Sequence, residues 1–308
     1  MRLLIAGLLA AATSGAWAHT AEEVGATAGS PVIVAGGWVF EPWVVVCLLV
    51  SLAWYALGVT RLWRHAGAGR GLRRWRVGSY VAGWLALLAA LLSPLDSLGA
   101  WLFWAHMLQH ELLMVLAAPL LVLGRPLAAW AWALPPAGRR ALGHAFHRRR
   151  WRRGWKLLTT AWSAWLLHAA ALWGWHVPAA FDAALHHRGL HALQHASFLF
   201  SALLFWWTVF GASARHPRPG VALMSLFTTM LHSGALGALL ALSPSVWYQA
   251  YAASAPALGW EPLADQQLGG LLMWAPGGLA YAVAALLLAR QLLLSAPVDR
   301  AGWRHASA

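Results

Sequence analysis

The residues best suited to chemistry lie in an apolar stretch, Phe103–Arg125, which carries His106, His110 and Glu111. An α-helix turns about 100° per residue, so His106 and His110 would lie about 40° apart, with Met107 and Glu111 beside them. Ionisable groups in a membrane-spanning helix are costly, and they usually face a bundle interior or an aqueous cavity. This helix face of imidazole, thioether and carboxylate is therefore a candidate functional site.

A second stretch repeats the spacing of the first, because His106-Met-Leu-Gln-His110 is matched by His191-Ala-Leu-Gln-His195. Two imidazoles four residues apart on a helix can bind one metal ion together. One such pair gives weak support, since a buried histidine often forms only a hydrogen bond between helices. Two pairs at a similar depth favour metal binding. We expect His106, His110, His191 and His195 to be ligands, with His176 at the entrance.

The composition predicts a membrane protein with several spans. Of the 308 residues, 60% are hydrophobic and only 10% are charged, and the mean hydropathy is +0.58. Such a chain has too few polar residues to cover a soluble globule. The net charge of +13 belongs to loops rather than to a basic stripe on a soluble domain, so nucleic acid is not an expected partner. The single cysteine, Cys47, excludes an internal disulfide and a Cys-x-x-Cys metal site.

Four regions are expected along the chain. Residues 1–18 have a basic residue, an apolar run and a small-residue cleavage site, which is typical of a signal peptide; an uncleaved anchor is the alternative. Residues 19–41 would form a periplasmic segment and 293–308 a cytoplasmic tail. Between them, 42–292 would be an all-α bundle of seven transmembrane helices, because seven stretches approach the ~20 apolar residues that a bilayer requires. These stretches are 42–60, 77–93, 101–123, 156–174, 190–210, 220–242 and 268–290.

The basic residues fix the expected orientation, with six in loop 61–76 and nine in loop 125–156. Lys and Arg are enriched on the cytoplasmic side, so the amino terminus is expected outside and the carboxyl terminus inside. The basic run 147–153 would contact anionic membrane lipids. In this orientation His106 and His110 lie about 8 to 14 Å below the outer start of their span, at 1.5 Å per residue. The second histidine pair enters from the same side.

Six further residues are secondary metal candidates, because the same orientation brings them towards this depth: His168, His232, Met107, Glu111, Asp265 and Met273. The methionines are more often core packing, although thioether beside imidazole suits Cu(I) better than Mg²⁺ or Ca²⁺. Glu111 is equally compatible with a hydrogen bond to a histidine. Small residues in 233–238 predict close helix packing, and Pro276-Gly277-Gly278 predicts a loosened or kinked last span.

Several stretches together resemble a known family. They are Trp38-Val-Phe-Glu-Pro-Trp43, His106-Met-Leu-Gln-His110 continuing to Pro119-Leu-Leu-Val-Leu-Gly-Arg-Pro126, Trp175-His176-Val-Pro178 with Phe181-Asp182-Ala-Ala-Leu185, His191-Ala-Leu-Gln-His195, Leu236-Gly-Ala-Leu-Leu240 and Asp265-Gln-Gln-Leu-Gly-Gly-Leu-Leu-Met-Trp274. The sequence resembles the multi-pass CtaG-type cytochrome c oxidase assembly factors over nearly the whole chain after residue 18.

This resemblance implies a bacterial inner (plasma) membrane protein that helps copper reach the buried copper centre of a haem-copper oxidase. The implied partners are the catalytic subunit of that oxidase and a periplasmic copper chaperone, together with membrane lipids. The implied role is that of a metallochaperone for Cu(I) rather than of an enzyme. No P-loop, dinucleotide or nucleophile-elbow pattern occurs in the sequence, so no catalytic residues are expected.

Two other functions fit the same histidines. A membrane cytochrome could hold haem b between histidines on facing helices and transfer electrons. A copper or small-solute transporter could use the same site, but the inner half of the predicted bundle offers few matching polar residues to continue a path. A Soret band that shifts on reduction would identify the cytochrome, and metal uptake into sealed vesicles would identify the transporter.

Overall fold

The structure is a computed structural model that describes residues 36–211 and 219–295. These residues are helical with connecting turns and contain no β-strand, which confirms the all-α expectation. The predicted signal peptide, residues 19–35 of the predicted periplasmic segment and residues 296–308 of the predicted tail lie outside the described residues. The helices are α1 Pro42–Ala66, α2 Arg74–Leu92, α3 Pro94–Gly99, α4 Phe103–Glu111, α5 Ala118–Leu123, α6 Pro126–Ala133, α7 Pro136–His147, α8 Arg149–Leu158, α9 Ala161–Trp175, α10 Pro178–His186, α11 Arg188–Phe210, α12 Pro219–Ala241, α13 Gln249–Ala257, α14 Pro262–Leu272 and α15 Gly278–Ser295.

Six helices in the described residues are long and apolar enough to cross a membrane, which indicates a membrane protein. Their bounds are Pro42–Ala66, Arg74–Leu92, Phe103–Leu123, Arg188–Phe210, Gly220–Ala241 and Pro262–Leu294. The predicted span 156–174 corresponds instead to the end of α8, a break, and the 15 residues of α9. Because α9 is shorter than the ~20 residues that a bilayer core requires, seven crossings and their orientation stay predictions.

A carboxylate from a distant part of the chain caps the start of α4. Asp265, in the first turn of α14, accepts hydrogen bonds from the backbone N–H groups of Phe103 at 2.8 Å and Trp104 at 2.9 Å. The first N–H groups of a helix have no partner inside the helix, and Leu102 at the N-cap supplies no side-chain acceptor. Asp265 therefore fixes the helix end from which His106 projects one turn later.

Two long helices contain π-helical turns, at Leu112–Ala117 between α4 and α5 and at Met273–Gly277 between α14 and α15. Pro276 accounts for the second, since proline lacks an N–H and its ring opposes a regular helical turn. In the first, the Trp206 indole donates a hydrogen bond to the Met114 carbonyl at 2.8 Å. The expected loosening at Pro276 is thus present. The turn at Leu112–Ala117 places a wider helix directly after the first histidine pair.

Close packing between α12 and the last long helix is confirmed at two glycines. A Cβ on Gly270 would lie 2.4 Å from the backbone N of Ala241, and one on Gly237 would lie 2.7 Å from the backbone N of Trp274. Only glycine permits such an approach of the two backbones. This contact positions the long helix that carries Asp265 against α12. Because Asp265 caps α4, the same contact helps to place the start of α4.

Candidate metal centre

Three imidazoles from two helices converge on one point. His106 projects from α4, and His191 and His195 project from the first two turns of α11. One ligand nitrogen from each of the three lies within 4.8 Å of the others. This is the only group of three or more histidine, cysteine, aspartate or glutamate side chains so arranged in the described part of the chain. The spacing suits a single metal ion held by three nitrogen ligands.

Two more histidines extend this group, which we call the histidine cluster: His106, His110, His176, His191 and His195. The ring centre of His110 lies 4.4 Å from that of His106 and 5.3 Å from that of His195. His176 lies further away, with its ring centre 6.2 Å from that of His110. All five residues expected as ligands therefore lie together. Whether each one binds metal stays a prediction.

The cluster contains buried ring nitrogens with no hydrogen-bond partner. They are Nε2 of His106, His176, His191 and His195, together with both ring nitrogens of His110. Buried polar atoms in proteins are nearly always hydrogen-bonded, because an unpaired one retains its desolvation penalty. Six unpaired nitrogens in one place are unusual for a structural hydrogen-bond network. They fit a site whose partner is a metal ion.

Backbone contacts fix the tautomer of His176 and allow close packing at His106. Nδ1 of His176 lies 2.6 Å from the Leu172 carbonyl and donates to it, because a carbonyl can only accept. The proton therefore resides on Nδ1, and Nε2 keeps its lone pair free. On α4, a Cβ at Gly99 would lie 3.3 Å from the Cα of His106, so glycine allows α3 to pack against the cluster.

An aromatic roof closes the cluster on the side of the short helix α10. Phe181 is fully buried, and its ring centre lies 5.1 Å from His106 and 6.2 Å from His176. Phe103 and Tyr248 pack on Phe181 at 5.6 Å and 4.3 Å. His176 was expected at the entrance, but it is only 3% exposed. It lies under this roof rather than at an opening.

The secondary histidines lie in other surroundings. His168 already has two partners, with Nδ1 3.2 Å from the Ser201 hydroxyl and Nε2 3.4 Å from the Tyr281 hydroxyl. His232 accepts a hydrogen bond from the Trp173 indole through Nδ1 at 3.3 Å. Neither belongs to the compact group of ligand nitrogens. Both are accounted for by ordinary contacts between helices.

The other secondary candidates also have structural surroundings. Met107 and Met273 belong to the main hydrophobic core, in agreement with their packing interpretation. Both carboxylate oxygens of Asp265 cap α4. Glu111 faces Gly277 in the second π-helical turn, where an added Cβ would lie 2.8 Å from its Oε2. None of these four is in the compact group of ligand nitrogens.

Sequence reasoning missed the glutamine that precedes the second histidine of each pair. Gln109 donates to the Ala90 carbonyl at 2.7 Å and to Asp96 Oδ1 at 2.5 Å, which anchors α4 to α2 and α3. Gln194 is 1% exposed and lies beside His106, and neither its side-chain oxygen nor its nitrogen has a hydrogen-bond partner. The Leu-Gln-His sequence that both pairs share is the signal that could have identified these glutamines.

Two carboxylates with raised pKa values lie close to each other, Glu41 at the start of α1 and Asp96 in α3. Burial raises the pKa of Asp96 to about 7, although the hydrogen bond from Gln109 lowers it. Burial also raises the pKa of Glu41, against the opposing effects of a hydrogen bond with Trp43 and the positive charge of Arg188. Glu41 and Asp96 also interact electrostatically with each other, so they form a pair.

Comparison with known proteins supplies a family and distant relatives. The family model described as cytochrome c oxidase caa3 assembly factor (Caa3_CtaG) matches residues 53–295. Uncharacterized proteins from Mycobacterium bovis and Mycobacterium tuberculosis are each 28% identical over 253 residues, which cover 77% of this chain and 36% of theirs. The chain thus spans about a third of the length of these relatives. No solved structure gives a significant match.

Proposed function

The chain belongs to the cytochrome c oxidase caa3 assembly factor family, and from this premise we propose that it handles the copper of a haem-copper oxidase. The histidine cluster would bind copper and pass it to the buried copper centre of the catalytic subunit. A periplasmic copper chaperone would supply the metal. In this role the protein makes and breaks no covalent bond in a substrate, and copper is its cargo.

The observation that carries this proposal is the set of unpaired ring nitrogens in the histidine cluster. Imidazole binds copper well, and a nitrogen-only set of three is compatible with Cu(I). The lower charge of Cu(I) favours it over Cu(II) in a buried site of neutral imidazoles. The Born cost of burying an ion rises with the square of its charge, so a divalent ion would cost roughly four times as much as a monovalent one in a site of neutral ligands.

The same geometry fits a haem less well. Two histidines that ligate one haem iron from opposite sides need a slot between them for the flat porphyrin. Here the rings are packed against one another and against aromatic side chains. The Phe198 ring centre lies 4.6 Å from that of His110, and Phe181 covers His106. A compact ion needs no such slot, only nitrogens that converge on one point, as those of His106, His191 and His195 do.

The proposed location is the bacterial inner membrane, with seven crossings and the amino terminus outside. The asymmetry of the basic loops supports this orientation, which would put the start of α4 and the start of α11 on the periplasmic side. The cluster would then lie within reach of copper from the periplasm. At this depth, copper would also have only a short distance to travel sideways to another membrane protein.

Metal analysis and X-ray absorption on protein purified without oxygen test this proposal. We expect copper bound through nitrogen ligands alone, because Met107, Met114 and Met273 pack in the hydrophobic core and Cys47 is outside the cluster. His106→Ala should lose most of the copper. His186→Ala is the matched control, since this exposed outer histidine lies apart from the cluster. A Soret band would contradict the proposal, as would copper retention in His106→Ala.

A further inference from the structure

A lateral groove runs between α1, α2 and α11 and reaches the histidine cluster. It has a volume of about 380 Å³. His191 and His195 lie in its wall, and the Nε2 atoms of both are buried without a partner. From His191 to Leu203, the groove follows α11 for 12 residues, or about 18 Å. One side of the cluster therefore borders this groove, while Phe181 covers the other.

The two ends of the groove differ in polarity. Glu41 and Asp96 lie at the end near His191, where α1 and α11 begin. Leu203 and Trp130 lie towards the opposite end, Leu203 12 residues beyond His191 and Trp130 beside Trp54 of α1. Arg188 interacts with Glu41 at this end, but the two carboxylates outnumber this single cation, so their charge raises the local concentration of cations beside the unpaired imidazoles. The apolar remainder is compatible with lipid or with a neighbouring membrane helix, but not with a hydrated ion.

We propose that copper enters and leaves the histidine cluster sideways, through the polar end of this groove. Glu41 and Asp96 attract the cation, and His191 is the first imidazole to bind it. The ion does not pass through the aromatic roof, since Phe181 is fully buried and packed on both Phe103 and Tyr248. This inference rests on the proposed copper function and specifies the route to the same site.

Filling the groove tests the route without altering a ligand. Ala196 lines the groove. Because helical side chains lean towards the amino end of their helix, Ala196→Trp would place an indole over the turn that carries His191 and His195, on the side of the polar end. Leu193→Trp is the matched control, because Leu193 is on the same helix, is 55% exposed and does not line the groove. The full chain in lipid nanodiscs is mixed with the bicinchoninate complex of Cu(I) without oxygen. Ala196→Trp should slow copper transfer by about tenfold or more with an unchanged final copper-to-protein ratio.

The single cysteine gives a second test that does not depend on folding of a variant. Cys47 is exposed and lines the groove. Alkylating it with N-ethylmaleimide after purification should slow copper transfer into the native protein. The same treatment should leave Cys47→Ser unaffected. If Ala196→Trp lowers the final ratio, the alkylated protein decides the question.

The attraction of copper by the carboxylate pair is tested by removing the charge of Glu41. Glu41→Gln should slow copper transfer by about threefold to tenfold at low salt, and by less at high salt, because electrostatic attraction is screened. Asp182→Asn is the control, since Asp182 is an acidic residue next to Phe181 on the roof side. A slower rate in Asp182→Asn, with a normal rate in Glu41→Gln, would place the route through the roof and overturn the inference.

The outcomes separate the route from the function. If the native protein takes up no copper, the proposed function and the route both fail. If it takes up copper, and both Ala196→Trp and the alkylated protein do so at the native rate, the lateral route fails while the copper function stands. Slowed transfer in both, with normal rates in Leu193→Trp and Cys47→Ser, supports the route.

Discussion

Replacement of Asp265 should separate helix capping from metal ligation, because the two roles respond differently to asparagine and alanine. Asp265 is fully buried, and its two oxygens accept the Phe103 and Trp104 N–H groups at 2.8 and 2.9 Å. A hydrogen bond to a charged group contributes about 1.5–3 kcal/mol, partly offset here because a buried carboxylate is costly. Asp265→Ala should therefore lower the free energy of unfolding by about 2–4 kcal/mol.

Asp265→Asn should behave differently, because asparagine caps helices about as well as aspartate and keeps one accepting oxygen. Asp265→Asn should therefore lower the free energy of unfolding by only about 1 kcal/mol. Copper affinity should follow the position of α4: weakened about 10- to 100-fold in Asp265→Ala, as for groups that orient metal ligands, and nearly native in Asp265→Asn. The assays are thermal unfolding of the purified protein and competition for Cu(I) with a chelator. Equal, large copper losses in both variants with native stability would refute capping and make Asp265 a ligand.

The remaining predictions concern coupling, pH and topology. If the two pairs share one ion, His106→Ala and His195→Ala should each remove most of the copper and the double variant should add little, whereas additive losses in metal analysis would mean two sites. Because the folded-state pKa of Asp96 is raised to about 7 from 3.8, its contribution to stability is complete below about pH 4 and is lost as pH rises through about 7. Asp96→Asn should thus reduce the fall in thermal midpoint between pH 5 and pH 8, and an unchanged fall would contradict the assignment. A reporter active only in the cytoplasm should work after Arg153 and fail near Arg188; activity near Arg188 would overturn the orientation.

The histidine cluster could be predicted from the sequence because helical periodicity alone determines most of it. The four-residue spacing puts His106 beside His110 and His191 beside His195 whatever the rest of the chain does. Both helices were expected to start on the same side, which gave the pairs a common depth. The structure brings the pairs together as that interpretation requires, although no metal binding is thereby shown.

The role of Asp265 could not be predicted, because it depends on packing between residues about 160 positions apart. From the sequence, Asp265 was one more polar group near the depth of the histidines. His176 was misplaced at an opening for a related reason. His176 is the C-cap residue that follows α9, and its burial depends on how α10 folds back to place Phe181 over it.

The helix break inside the predicted span 156–174 has a local signal in the sequence. Thr160 is the N-cap of α9 and accepts a hydrogen bond from the Ser163 N–H at 3.2 Å, so the helix starts there. A threonine before an apolar run is a recognisable cap, but it falls inside the hydropathy window that defined the span. The π-helical turn at Leu112–Ala117 left no such mark, since its sequence is equally compatible with an α-helix.

Copper content of the oxidase in cells that carry His110→Ala is the most direct measurement of the proposed role. Removing one buried polar ring from an apolar helix should leave the abundance of the variant nearly unchanged. Under copper limitation, the oxidase should then accumulate with haem but with little of its buried copper, and added copper should restore part of it by mass action. An abundant His110→Ala protein beside a fully metallated oxidase would contradict copper delivery through the histidine cluster.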